Sequence, residues 1–162
     1  MQIKKTSITI GVLVLIGLLG FWVIGWETVN YDKNDAEVGS KIMFTAQMLK
    51  ITNIPDKFAG KYIKNKYGAV LQSEKSWRNF EHAFPDVSTE KIDCDEIFQV
   101  VDALYIIRHG LLLSAFTNSS LKYYVLTSEK HKKTVIWRGE YDSYAKNIKN
   151  ISDDSMCNSV AN

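Results

Sequence analysis

The stretch Asp93–Gly110, DCDEIFQVVDALYIIRHG, governs the architecture expected of this chain. Its apolar residues Ile97, Val100, Val101, Leu104 and Ile107 recur every three or four positions, which is the period of one helical face. Ser88-Thr-Glu-Lys just upstream reads as a helix start, and Asp93, Asp95 and Glu96 suit the positive end of a helix dipole. Gly110 stands where a helix ends in a left-handed residue. The spacing predicts a helix.

Three further helices are predicted upstream. Residues 35–50, DAEVGSKIMFTAQMLK, place Val38, Ile42, Ala46 and Leu49 at helical spacing, with Asp35 as N-cap. Residues 56–68, DKFAGKYIKNKYG, put Phe58, Tyr62, Ile63 and Tyr67 on one side, Lys57, Lys61 and Lys64 on the other, and Gly68 as a stop. Residues 73–84, SEKSWRNFEHAF, set Trp77, Phe80 and Phe84 at i, i+3 and i+7 before Pro85.

Downstream the period changes. LLLSAFT (111–117), LKYYVLTSE (121–129) and TVIWRGEY (134–141) are β-branched and aromatic runs of strand length, joined by NSS and KHKK as hairpin connections. The last strand is expected to end near Tyr141, and DSYAKNIKN to form a short helix. The fold class is therefore α+β, with three to four helices and then a small antiparallel sheet. An open edge of that sheet is a natural docking point for a partner strand.

The N-terminus carries KKTSITIGVLVLIGLLGFWVIGW (4–26), uncharged from Thr6 to Trp26. The 19 residues from Ile8 to Trp26 cover roughly 28 Å as a helix, against about 30 Å of bilayer hydrocarbon. The run ends in bulky residues with no small-residue cleavage site, which favours an uncleaved anchor over a leader. Lys4 and Lys5 place the N-terminus in the cytoplasm. The expected organisation is a cytoplasmic stub (1–7), a transmembrane signal anchor (8–26), a periplasmic α+β domain (27–150) and a polar tail (151–162). The expected location is the inner membrane, single-pass.

Composition narrows function. The chain has 20 Lys+Arg and 18 Asp+Glu, and without Lys4 and Lys5 the balance is neutral. Neutrality argues against direct nucleic-acid binding, which needs a sustained positive excess. The two cysteines, Cys94 and Cys157, fit a structural disulfide in an oxidising compartment. Closing a loop of 63 residue steps stabilises by roughly 4 kcal/mol in the chain-entropy model. That bridge would tie the tail back to the domain.

No template of catalysis is complete. Ser88-Thr-Glu-Lys91 matches SxxK without the companion elements of penicillin-binding enzymes. HExxH, GxSxG, a phosphate loop and a His/Cys metal set are missing from the sequence. The expectation is a non-enzyme with no metal and no cofactor. His82, His109 and His131 are candidate pH-sensing residues, because histidine titrates near neutrality. His109 and His82 rank above His131, since they adjoin predicted packed helices while His131 sits among lysines in a turn. Trp77, Phe80, Phe84, Tyr123 and Trp137 are candidate partner- or ligand-contacting aromatics, with core packing as the commoner use of such residues.

The small stub, single anchor MQIKKTSITIGVLVLIGLLGFWVIGW and neutral domain bearing Cys94 and Cys157 resemble the PsaF/MyfF-type accessory proteins of fimbrial transcription activators. These belong to a broader class of ToxS-, TcpH- and VtrC-like periplasmic partners. The resemblance implies a regulatory partner that binds and stabilises or tunes the periplasmic sensor of a membrane-anchored, PsaE/MyfE-like activator. It implies control of fimbrial and virulence genes in response to acid pH and temperature. The anchor adds the lipid bilayer as a partner, and a homodimer is a further expected contact. ToxS and VtrC partners are built around β-barrel-like domains, from which a helical first half departs. Two other readings stay open: a periplasmic immunity or inhibitor protein against a toxin or hydrolase, and a small-ligand-binding sensor domain.

Overall fold

The computed structural model describes residues 10–19, 26–109 and 120–150. Residues 10–19 form a helix, α1. The chain then builds β1 (Trp26–Tyr31), β2 (Lys41–Phe44) and β3 (Met48–Thr52), two short helices α2 (Asp56–Ala59) and α3 (Lys61–Tyr67), and β4 (Ala69–Ser73). After these come α4 (Glu74–Trp77), a 3-10 turn Glu81–Ala83, β5 (Ser88–Lys91) and the long β6 (Phe98–His109). β7 (Ser120–Thr127), β8 (Thr134–Trp137), α5 (Arg138–Tyr144), β9 (Ala145–Asn147) and a 3-10 turn Ile148–Asn150 complete the described chain.

The nine strands form one sheet in the order β5-β3-β4-β8-β7-β6-β2-β9, with β1 pairing β6 off that path. The pairings of β2 with β6 and β9, of β3 with β4 and β5, and of β7 with β8 are antiparallel, whereas β4 and β8 run parallel with Val70 opposite Val135 and Leu71 opposite Ile136. β4 is buried at all five positions, as a strand covered on both faces must be. Helices α3, α4 and α5 pack against it.

Two compact units divide the chain: Met1–Asn30 with Tyr105–Leu121, and Tyr31–Leu104 with Lys122–Asn162. In the first, Thr28 Oγ1 of β1 lies 2.9 Å from His109 Nε2 at the end of β6. The second holds the main core of Ile42, Phe44, Met48, Leu71, Phe98, Val100, Tyr124, Leu126, Ile136 and Tyr141. Because successive strand residues point to opposite faces, Met48 enters this core while Leu49 and Ile51 face Trp77 on the other side.

The sheet overturns the predicted fold class. Asp93–Gly110 was expected to be helical, but Phe98–His109 is a strand. Phe98, Val100, Leu104 and Ile106 are buried at alternate positions, and Ile97, the first residue of the expected helical stripe, is 49% exposed. Val101, Tyr105 and Ile107 on the second face are themselves partly covered, so alternation is masked and the sum of two faces imitates a helical stripe. Residues 35–50 are not a helix either: a turn leads into β2 and then β3. The helix expected over 73–84 shrinks to α4 and a 3-10 turn, and the strand expected to reach Tyr141 ends at Trp137, where α5 begins. DSYAKNIKN is the end of α5, β9 and a 3-10 turn.

The anchor is corrected too. Among the described residues no helix is long and apolar enough to cross a membrane. Ten residues of α1 are described, about 15 Å at 1.5 Å each, and Trp26, the expected last residue of the anchor, opens β1. The single-pass inner-membrane location, with cytoplasmic N-terminus and periplasmic domain, loses the span it rested on. Lys4 and Lys5, the expected strand 111–117 and the tail 151–162 lie outside the described residues.

Two expectations are met, the first in part. The helix expected over 56–68 is broken by Gly60 (φ 80°) into α2 and α3, and Gly68 ends α3 as expected with φ 70°, its N–H reaching the carbonyls of Ile63 and Lys64 at 3.3 and 3.1 Å. KHKK joins β7 to β8 as an antiparallel pair, with Tyr124 opposite Ile136.

Candidate functional site

The densest polar network surrounds His131. The turn between β7 and β8 closes when Ser128 N–H donates to the His131 carbonyl at 3.0 Å and His131 N–H donates to Ser128 Oγ at 2.9 Å. This tucks the imidazole inward, where it is 8% exposed and stacks on Phe98 with centroids 6.4 Å apart and rings 4° from parallel. Lys50 Nζ of β3 lies 3.2 Å from His131 Nδ1. An ammonium can only donate, so Nδ1 accepts and the ring proton sits on Nε2. Nε2 faces Glu96 Oε2 at 3.4 Å. Ser128 Oγ donates to the other carboxylate oxygen, Glu96 Oε1.

Glu96 Oε2 is fully buried without a hydrogen bond, so the His131 contact is a charge–dipole approach short of good hydrogen-bond geometry. Lys50 also pairs with Glu90 of β5 at 3.1 Å, and exposed Lys130 pairs with Asp93, which Lys130 holds below the usual carboxylate range.

This set contains a serine, a histidine and a carboxylate, yet it is wired differently from a nucleophilic relay. There the histidine stands between serine and acid; here Glu96 stands between Ser128 and His131. The serine proton goes to the carboxylate and no base faces its oxygen. The network fastens the β7–β8 turn to the segment before β6 and to β3.

The three histidines are therefore placed differently from expectation. His131, ranked last, is the buried one. His82 sits exposed in the 3-10 turn Glu81–Ala83. His109 is half-buried beside Thr28 at the end of β6, a strand and not the predicted helix. The acids Asp93, Asp95 and Glu96 precede a strand, so a helix dipole does not explain them. Glu96 has a partner instead, and sequence reading missed both it and Lys50.

The five aromatic candidates form two sets. Trp77, Phe80 and Phe84 come together around Phe58 of α2, whose ring meets theirs at 5.8, 5.7 and 5.6 Å in edge-on geometry. Trp77 is buried against Leu49 and Ile51, whereas Phe80 is 41% exposed. Lys57 Nζ lies 4.9 Å from the Phe84 ring centre, so the cluster has an apolar floor and a cationic rim. Ser73 Oγ caps α4 by accepting the Ser76 N–H at 3.2 Å, which aims Trp77 inward. Tyr123 and Trp137 form the second set, directly opposite each other in β7 and β8. Tyr123 is buried and Trp137 is 45% exposed.

Phe84 and Val87 lead directly into β5, a strand exposed at all four residues and paired on one side to β3. Thr89 and Lys91 stand opposite Ile51 and Leu49, so their side chains share the face that carries the aromatic cluster.

Cys94 is disulfide-bonded, and the other cysteine of the sequence, Cys157, lies outside the described residues. Cys94 Sγ is 3.8 Å from Gln47 Oε1; a disulfide sulfur has no proton to donate, so this is a packing contact. Gln47 meanwhile donates from Nε2 to the Ile92 carbonyl at 2.8 Å, which holds the start of β3 to the segment carrying Cys94. Among the described residues no group of three His, Cys, Asp or Glu is placed to hold a metal.

Comparison with protein-family models, characterised proteins and solved structures found no match for this chain.

Proposed function

We propose that this chain is a non-catalytic regulatory partner that binds and stabilises the sensor domain of a transcription activator. The observation that carries the docking mode is the end of the sheet at β5. Its four residues are exposed and, among the described residues, no strand pairs its outer edge, which lies beside a half-exposed aromatic cluster. Alternate residues of an edge strand turn their N–H and C=O groups outward, and an added strand takes up those groups while its side chains seek pockets on the flanking face. Phe80, Phe84 and Phe58 supply such a face, and Lys57 borders it. The occupant is an extended segment of the sensor with an apolar anchor residue.

Co-expression with a transcription activator encoded by a neighbouring gene tests this reading. The two chains should co-purify, and the activator level should rise. Phe80→Asp, at an exposed ring, should abolish co-purification while the unfolding midpoint stays near wild type; His82→Ala, nearby and exposed, should leave it intact. A folded Phe80→Asp protein that still binds would rule out the docking face.

A further inference from the structure

A second cluster, separate from the docking face, gathers three tyrosines around one ammonium. Tyr31 ends β1, while Tyr62 and Tyr67 lie five residues apart on α3. Lys66 Nζ stands 4.7, 5.3 and 5.7 Å from the ring centres of Tyr31, Tyr62 and Tyr67. It donates to Tyr62 Oη at 2.8 Å and to Tyr31 Oη, and the Tyr31 and Tyr62 hydroxyls bond each other. The Tyr62 and Tyr67 rings meet edge to face at 6.4 Å, so two walls brace each other. The groups that hold Lys66 in its charged form are these hydroxyls, with no carboxylate among them. Lys66 and Tyr31 are both exposed, so the cage opens to solvent.

Rings around a cation within about 6 Å recognise ammonium groups through their quadrupoles. Phenol oxygens placed to accept N–H bonds add a preference that a quaternary ammonium cannot satisfy. We propose that Tyr31, Tyr62 and Tyr67 form a binding site for a small primary alkylamine, with Lys66 as its tethered resident, which a free amine replaces when the lysine side chain swings out.

The tether competes at an effective concentration in the millimolar range, so removing its charge should expose the site. The test titrates n-butylammonium, the end of a lysine side chain, into full-length Lys66→Met protein and follows the ring resonances of the three tyrosines. Saturable shifts are expected, with binding at least about tenfold tighter than in wild type and tetramethylammonium clearly weaker. In the Tyr31→Phe/Tyr62→Phe/Lys66→Met protein, which keeps the rings and loses both acceptors, the preference for the primary amine should vanish. Unmoved tyrosine resonances in folded Lys66→Met protein at tens of millimolar amine overturn the site. An equal response to the two ammonium ions overturns its selectivity. Should Lys66→Met fail to fold, Lys66→Gln replaces it, and the same two outcomes decide.

Discussion

His131 Nε2 and Glu96 Oε2 face each other at 3.4 Å inside the protein, across 35 positions of sequence, with neither side chain more than a tenth exposed. Removing the imidazole leaves the buried Glu96 Oε2 without the N–H dipole that faces it, and a buried polar group left unpartnered costs about 1–3 kcal/mol. His131→Ala also deletes the ring stacked on Phe98. Urea unfolding should therefore show His131→Ala strongly destabilised, and His82→Ala, which is exposed, within about 0.5 kcal/mol of wild type. Equal midpoints for the two variants would refute the structural weight given to this pair.

That contrast marks where the sequence misleads. KHKK reads correctly as a turn, because its charges interrupt two β-branched runs and fix a hairpin. Nothing in KHKK says that its histidine turns inward: burial comes from Ser128 closing the turn and from Lys50 and Glu96, residues distant in sequence. Ile97 to Ile107 misleads for another reason. A strand flanked on both faces has no polar alternate positions, and its apolar residues then fit a helical period as well as a strand. The β-branched Ile97, Val100, Val101, Ile106 and Ile107 were the available warning. Of the aromatic site, Trp77, Phe80 and Phe84 were grouped on a helical spacing that α4 and a 3-10 turn replace, while Phe58, the centre of the cluster, belongs to a different helix and needed the fold. The parallel pairing of β4 with β8 joins segments more than sixty residues apart and leaves no local trace.

Asp35 and Lys122 form a well-shielded lysine–carboxylate pair, with side chains 9% and 12% exposed. Burial opposes ionisation of Asp35, but the hydrogen bond from Lys122 and the Glu37 N–H outweigh it, so its pKa is lowered. A carboxyl whose folded pKa lies below its unfolded value, about 3.9, contributes stability above that value and loses it as pH falls through the folded pKa. The stability advantage of wild type over Asp35→Asn should be constant near neutrality and shrink as pH drops below about 4. Denaturation at several pH values measures it, and an advantage that persists undiminished at strongly acidic pH would contradict the pairing.

Gly68 offers a backbone test free of packing effects. Its φ is 70°, and a Cβ placed there meets nothing within 4 Å. Gly68→Ala should cost about 1–2 kcal/mol through the left-handed conformation alone, and Gly68→Asn less, because asparagine tolerates that region. Thermal or urea unfolding of the two variants gives the order. Alanine as stable as glycine would mean that α3 ends differently.

At the start of β6, adjacent residues separate the strand from the helix that the sequence suggests. Phe98 is fully buried, sits opposite Ile42 in β2 and touches Phe44 with ring centres 5.4 Å apart. Ile97, its neighbour, points the other way and is half exposed. A helical stripe through Ile97, Val100, Val101, Leu104 and Ile107 would make Ile97 a core residue and leave Phe98 outside it. The strand makes the opposite assignment. Phe98→Ala should cost about 3–5 kcal/mol, since it removes a large side chain from a closed core, whereas Ile97→Ala should change stability by under about 1 kcal/mol. The ratio of the two effects, measured by urea denaturation, is the quantity to watch. If Ile97→Ala proves the more damaging, the stretch is packed as a helix, and β6 with its pairing to β2 is wrong.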